Sequence, residues 1–165
     1  AFHDIEPPVT AEVYYPAMKS LFDCIEERLG LEVVIAAHPK NQAGNNLWGG
    51  RKVIKGETPQ LVRQADLVLA HYTTAVSFAI LASKPIVQLT SNEYLESIRK
   101  NRILAFRDLL NLKCINIDNF DITEINQKLH KFDKSAYELY STNFLRSEEI
   151  DLEHMWNWDL ILKQQ

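Results

Sequence analysis

Short apolar runs rich in β-branched residues, each set between helical patterns, constrain the fold of this chain most. Their brevity and their polar or glycine-containing bounds predict buried strands. The predicted strands are "LEVVIAA" (31–37), "DLVLAH" (66–71), "PIVQL" (85–89) and "KCINI" (113–117), with a shorter one in "RKVIKG" (51–56). Strands that alternate with helices predict an α/β, Rossmann-like domain, with a mostly parallel sheet, helices on both faces and extra C-terminal helices.

The segments between those strands show the apolar periodicity of helices. The predicted helices span 14–30, 57–65, 75–83 and 93–111, and mainly helical structure is also expected over 121–132, 135–145 and 148–164. Pro16 is expected in the first turn of the first helix, Gly30 at its end, and Thr58 and Asn92 as N-caps of two later helices. The long helix over 93–111 is expected to bury an apolar face formed by Leu95, Ile98, Ile103, Phe106 and Leu110. The polar, glycine-rich segment 40–50 is expected to be a loop.

Length and charge narrow the class of protein. A chain of 165 residues suits one domain, and its formal net charge of −4 offers no basic footprint for nucleic acid. No apolar stretch approaches the roughly 20 residues of a spanning helix, and the N-terminal residues lack the pattern of a signal peptide. Cys24 and Cys114 lie far apart in apolar segments, so we expect reduced thiols and a cytoplasmic location. The missing initiator methionine leads us to expect a piece excised from a longer protein.

Polar residues follow two of the predicted strands. His38 and Pro39 come directly after 31–37, and His71 ends the strand over 66–71, with Thr73 and Thr74 after it. In a parallel sheet, ligands bind outside the carboxyl ends of the strands, where loops lead into helix N-termini. A helix that begins near Thr74 would present unpaired amides to a phosphate or carboxylate, with the threonine hydroxyls as further donors. The alternatives are that a threonine only caps the helix and that the histidines make structural hydrogen bonds.

A second group of candidates lies in "WGGRKVIKGET". Gly50 and Arg51 could let backbone and guanidinium approach an anion, and Glu57 and Thr58 could bond a ribose hydroxyl. A surface loop and simple helix capping explain the same residues equally well. The segment matches neither the P-loop nor the dinucleotide fingerprint, and no nucleophile elbow or metal-ligand spacing occurs, so we expect no metal site.

Two segments in this order resemble a known family. "VVIAAHPK" and "GRKVIKGETPQLVRQADLVLAHYTTAVSFAILASKPIVQL" are similar to the carboxyl-terminal, nucleotide-binding half of GT-B-type glycosyltransferases of bacterial surface and capsular polysaccharide biosynthesis. The group includes capsule-type sialyltransferases and polyol-phosphate transferases, and the similarity covers about residues 12 to 118. In that family an HP pair and a hydroxyl pair contact the phosphate region of the donor nucleotide. His38-Pro39 and Thr73-Thr74 occupy those positions, although the family usually has Ser-Ser or Ser-Thr.

The resemblance implies that residues 1–165 form one nucleotide-binding domain, the C-terminal half of a two-domain transferase. The complete protein would transfer a sugar from a nucleotide-activated donor to a glycan hydroxyl without a cofactor, with His38 stabilising the leaving phosphate. The acceptor site and the catalytic base would lie in an N-terminal domain outside this chain, so the fragment alone would be inactive. Peripheral membrane association of the full protein is a further implication. The alternatives are a non-catalytic α/β module that binds a nucleotide or a protein, and a nucleotide-sugar epimerase-like half-domain.

Overall fold

The fold is α/β, as predicted from the alternation of strand and helix patterns. The computed structural model describes residues 8–38, 45–130 and 133–145; Pro39 and the predicted helix over 148–164 lie outside these ranges. In chain order the elements are α1 (Ala11–Leu29), β1 (Ile35–Ala37), a 3-10 turn (Asn45–Trp48), β2 (Val53–Lys55), α2 (Thr58–Gln64), β3 (Val68–Ala70), α3 (Val76–Leu81), β4 (Ile86–Thr90), α4 (Asn92–Glu96), α5 (Lys100–Leu109), β5 (Cys114–Asn116), α6 (Ile122–His130), α7 (Lys134–Tyr140) and a π-helical turn (Ser141–Leu145).

The strands form two small parallel sheets. β1 pairs with β2, and in the second sheet β4 lies between β3 and β5. Because every one of these pairings is parallel, the strands of each sheet end at the same edge. Ile35 of β1 and Leu69 of β3 pack against the same hydrophobic cluster, so the two sheets share a core.

Strand β4 shows how the helices are arranged on the second sheet. All five of its residues are buried, since helices cover both of its faces. Val87 and Leu89 belong to a cluster with residues of α1 and α6, whereas Ile86 belongs to a cluster with residues of α2, α3 and α7. The predicted placement of helices on both faces is therefore confirmed.

Helix α1 begins earlier than predicted. The Thr10 carbonyl accepts hydrogen bonds from the amides of Val13 and Tyr14, so Pro16 lies inside the helix and its predicted place in the first turn is wrong. Proline removes one helical hydrogen bond, but the exposed position near the helix start leaves the orphaned carbonyl accessible to water. Gly30 ends the helix as predicted, with a left-handed φ of 65°.

The single long helix predicted over 93–111 is wrong, because α4 and α5 are separate helices. Ser97 between them is extended, with ψ of 164°. Its hydroxyl donates to the Tyr94 carbonyl at 2.8 Å and accepts from the Arg99 amide at 3.2 Å, which replaces helical bonding with local side-chain bonding. The break turns Ile98 outward, so this member of the predicted apolar face is 86% exposed.

The predicted helix starts are displaced by one residue. Ser91 caps α4, since its hydroxyl accepts from the Tyr94 amide at 3.1 Å, and Asn92 is the first helical residue. Likewise α2 begins at Thr58, with Glu57 in the N-cap position and no side-chain cap. Both helices therefore begin within one residue of their predicted starts, but the predicted caps are wrong.

Three further features concern the segment 40–50, the cysteines and membrane crossing. Within the described part of 40–50, the predicted loop contains a 3-10 turn that carries Trp48. Cys24 and Cys114 are free thiols, as predicted, and burial raises the pKa of Cys114. None of the helices described is both long enough and apolar enough to span a bilayer.

Candidate functional site

Most of the predicted site residues follow the carboxyl ends of three strands, whereas Gly50 and Arg51 precede β2. β1 ends at Ala37 and leads into His38, and β2 ends at Lys55, which pairs with Ala37, so Glu57 and Thr58 lie at the same edge of the first sheet. His71, Thr73 and Thr74 follow β3 at the corresponding edge of the second sheet. The structure thus gathers the candidates into two groups, one on each sheet. The side chains of His38, Glu57, Thr73 and Thr74 are exposed.

His71 is held by two hydrogen bonds within the protein. Its Nδ1 lies 3.0 Å from the Leu89 carbonyl oxygen and its Nε2 lies 2.8 Å from the Tyr14 hydroxyl. A carbonyl only accepts, so Nδ1 donates and the lone pair of Nε2 accepts from the Tyr14 O–H. Burial lowers the pKa of His71 and outweighs the bond to Leu89, so the ring is neutral around pH 7.

Aromatic rings surround His71. The Tyr94 ring stacks on the imidazole at 4.8 Å between centroids with 26° between planes, and the Tyr14 ring lies at 5.5 Å. Tyr14 in turn makes an edge contact with Trp48 at 6.4 Å. With both nitrogens bonded and a stacked ring on one side, His71 has a structural role. This is the alternative to ligand binding that the sequence left open.

Thr73 and Thr74 form the turn that leads into α3. The Thr73 hydroxyl oxygen accepts from the Ala75 amide at 3.2 Å, and the amides of Val76 and Ser77 donate to the carbonyls of Thr73 and Thr74. The backbone amides of residues 75 to 77 are therefore already paired, so the prediction that they are free to bind an anion is wrong. A hydroxyl that accepts one bond still has its own hydrogen to donate, so both threonines remain hydrogen-bond donors at an exposed edge.

Arg51 is buried in an ion-pair network with α1. Its Nη2 lies 2.5 Å from Asp23 Oδ1 and 2.6 Å from Glu26 Oε2, and its Nε donates to Glu26 Oε1 at 2.9 Å. The guanidinium also lies over the Phe22 ring, 5.3 Å from its centroid. The bonds to Glu26 raise the pKa of Arg51 and lower that of Glu26. Gly50, which precedes it, is exposed and has a φ of 81°.

These contacts indicate a structural role for Arg51 that the sequence did not predict. Its side chain is only 7% exposed, and its charge is balanced by two carboxylates of the same chain. An incoming anion would have to displace both carboxylates and reach a buried group, which is energetically unfavourable. The geometry therefore favours a role in fastening the segment after the 3-10 turn to α1.

Sequence reasoning missed an open groove at the ends of β4 and β5. The groove has a volume of about 670 Å³ and is lined by α1, the start of α4 and the segment after β5, including Val13, Ala17, Asn92, Glu93, Asp118 and Phe120. The "SNE" after β4 and the "DN" after β5 carry the same signal as "HYTT" after β3, namely polar residues directly after a buried strand. Applying the carboxyl-end rule to all strands would have found this groove.

Hydrogen bonds organise the polar wall of the groove. Asp118 Oδ2 accepts from the Asn92 amide at 2.7 Å, and Asn116 Nδ2 donates to Asn92 Oδ1 at 2.8 Å. Both carboxylate oxygens of Glu93 accept from Thr10, which lowers the pKa of Glu93. The groove is therefore acidic and suits hydroxyl or ammonium groups better than phosphate. In the part of the chain that the structure describes, no group of three His, Cys, Asp or Glu side chains could hold a metal ion.

Comparisons with protein families, curated proteins and solved structures find no match for this chain. Its class is therefore defined by its own architecture. The chain is an α/β protein with parallel sheets, compatible with a Rossmann-like fold.

Proposed function

We propose that this domain binds the donor nucleotide of a glycosyltransferase of surface polysaccharide biosynthesis. The phosphate region of the donor would lie at the carboxyl edge, against Thr73, Thr74 and His38. One observation carries the proposal: Thr73, Thr74 and His38 follow the carboxyl ends of β3 and β1 as exposed side chains that can donate hydrogen bonds, whereas Glu57 is an exposed carboxylate and His71 is enclosed by its own protein partners. Ligands of parallel α/β sheets bind at this edge as a rule.

The chemistry of the three side chains suits a phosphate. Threonine hydroxyls and an imidazole N–H donate hydrogen bonds, and such bonds strengthen when the acceptor oxygen carries negative charge. Donors fixed where charge develops on a leaving phosphate also stabilise the transition state of group transfer. His38 would contribute in this way, while the glycan acceptor and the catalytic base would come from another domain. The resemblance of "AAHPK" and "HYTT" to the phosphate-binding segments of the family supports the same roles.

A non-catalytic binding module is the second candidate, and the acidic groove favours it. Glu93, Asp118 and Asn92 offer mainly acceptor atoms beside the apolar surface of Val13 and Phe120. A hydroxylated or amine-bearing ligand without phosphate would suit that surface. The two candidates therefore differ in the edge position they use and in the charge of the ligand they prefer.

Calorimetric titration with nucleoside monophosphates tests the proposal. We expect cytidine or uridine monophosphate to bind and the corresponding nucleosides to bind at least about tenfold more weakly, since a hydrogen bond to a charged group contributes about 1.5–3 kcal/mol. The variant Thr74→Val removes one hydroxyl at nearly constant volume and should lower the affinity about tenfold. Thr142→Val, which removes an exposed hydroxyl on the π-helical turn, is the matched control. Unchanged affinity of Thr74→Val at an unchanged melting temperature would contradict the proposal.

A further inference from the structure

The turn between α4 and α5 exposes an isoleucine. Ile98 is 86% exposed, the largest exposure among the large hydrophobic side chains described. It follows the extended Ser97 and stands at the tip of the turn, held there by the two hydrogen bonds of the Ser97 hydroxyl. An aliphatic side chain so fully in water is unfavourable unless it meets an apolar partner.

Three cations follow Ile98 closely along the chain. Arg99, Lys100 and Arg102 lie within four positions of Ile98, at the N-cap and in the first turn of α5. The first turn of α5 contains no acidic residue, and no ion pair joins these three cations to a carboxylate within the ranges that the structure describes. Positive side chains at a helix N-terminus oppose the helix dipole, so this arrangement reduces the stability of the isolated protein. Local arrangements that disfavour folding are expected at functional surfaces.

The distribution of charge makes this patch distinctive. Residues 97–107 contain four cations and no carboxylate, in a chain whose formal net charge is −4. One of the four, Arg107, is engaged with the neighbouring Asp108, and Glu96 precedes the patch. An anionic surface would therefore attract the molecule through this turn, which favours one orientation of approach.

We propose that the α4–α5 turn, formed by Ile98, Arg99, Lys100 and Arg102, docks the protein onto an anionic lipid bilayer. The three cations would lie among the lipid headgroups while Ile98 enters the boundary with the acyl chains. An exposed aliphatic side chain followed closely by three cations matches a surface that is anionic outside and apolar just beneath. A nucleic acid would instead favour aromatic side chains for stacking, and the four residues of the turn contain none. The proposal is independent of nucleotide binding.

Sedimentation with lipid vesicles tests this surface on the complete 165-residue chain. The vesicles consist of equal parts phosphatidylcholine and phosphatidylglycerol, or of phosphatidylcholine alone. We expect binding to the anionic vesicles, weakening as salt is added, and little binding to the neutral ones. Replacing Arg99, Lys100 and Arg102 together by glutamine should weaken binding by about hundredfold, since each cation near an anionic surface contributes about fivefold. Ile98→Ser should weaken it by about fivefold.

Matched control variants distinguish the effect of this patch from the effect of net charge. Replacing the exposed Arg28, Lys52 and Lys55 by glutamine makes the same change in net charge elsewhere. Leu139→Ser removes another exposed aliphatic side chain, which is 60% exposed. We expect both controls to bind like the unaltered protein. Equal binding by the patch variants and their controls would overturn the proposal. It would also be overturned by equal binding to neutral vesicles, or by binding of an RNA oligonucleotide through the same cations without any vesicle binding.

Discussion

The Tyr14 hydroxyl donates a hydrogen bond to Nε2 of His71 at 2.8 Å, joining α1 to the residue that follows β3. The other ring nitrogen of His71 donates to the Leu89 carbonyl of β4, so one imidazole connects three elements. Burial raises the pKa of Tyr14 and lowers that of His71, which keeps both groups neutral around pH 7. This pair holds the first turns of α1 against the carboxyl edge of the second sheet.

Tyr14→Phe should destabilise the protein. The change removes the donor to His71 Nε2 and leaves a buried acceptor unpaired, so the free energy of unfolding should fall by about 1–3 kcal/mol. Tyr15→Phe is the matched control, because the structure records ring contacts but no hydrogen bond for Tyr15. Urea titration of both variants measures the difference. Equal stability of the two variants would show that the Tyr14–His71 bond contributes little.

Acidification should destabilise the protein through His71. The pKa of the ring is below 6.5 in the folded state and close to 6.5 in the unfolded chain, so only the unfolded chain takes up a proton just below about pH 6.5. The free energy of unfolding should then fall by up to about 1.4 kcal/mol per pH unit until the pKa of the folded state is reached. Above about pH 6.5 His71 makes no contribution to the pH dependence.

His71→Gln isolates this pH effect, because an amide can still donate to Leu89 and accept from Tyr14 without titrating. Tyr14 and Tyr94, which face the ring, stay neutral because burial raises the pKa of each. Urea titrations at about pH 7.5 and about pH 5.5 should show a larger loss of stability in the unaltered protein than in the variant. The same loss in both proteins would assign the effect to other groups.

Arg51→Gln should weaken the fold and leave nucleotide affinity unchanged. The variant leaves two carboxylates without their cationic partner. Asp23 and Glu26 are 47% and 35% exposed, so water reduces the loss in the free energy of unfolding to about 2 kcal/mol. Lys52→Gln, an exposed neighbour, should change stability by less than about 0.5 kcal/mol. Thermal unfolding and calorimetric titration measure the two properties separately. A loss of affinity at full stability would instead assign Arg51 to the ligand site.

Gly49→Ala should destabilise the protein more than Gly50→Ala. Both glycines have a positive φ, 67° and 81°, so alanine at either position is strained by about 1 kcal/mol. At Gly50 the added Cβ meets open space, whereas at Gly49 it would lie 3.0 Å from Nη1 of the buried Arg51. We expect a further loss of about 1 kcal/mol at Gly49 from disturbing the ion pairs. Melting temperatures of the two variants that agree within error would contradict this account.

Local sequence patterns predicted most of the fold. The β-branched run "PIVQL" indicated a strand buried on both faces, and β4 has helices on both sides. The break at Ser97 could not be foreseen in the same way, because a serine hydroxyl makes it and neither proline nor glycine marks the position. As a consequence Ile98, which fits the helical period, lies outside the core.

The strand pattern predicted where several candidate residues stand relative to the strands but not how their side chains bond, and their role in ligand binding stays a prediction. The carboxyl-end rule correctly located His38 and Thr73-Thr74 after their strands. Local patterns could not show that His71 bonds Tyr14, 57 positions away, or that Arg51 bonds Glu26, 25 positions away. Long-range partners of this kind depend on how the helices pack, and they decide which polar residues remain exposed for a ligand.

Amide chemical-shift mapping with cytidine monophosphate tests the central claim most directly. If the nucleotide phosphate lies at the carboxyl edge, the largest shifts should occur at His38, Thr73 and Thr74 and should disappear in Thr74→Val. Cytidine without phosphate should produce much smaller shifts at the same amides. Shifts confined to Asn92 and Asp118 in the acidic groove, or no shifts with any of the four common nucleoside monophosphates, would contradict the account.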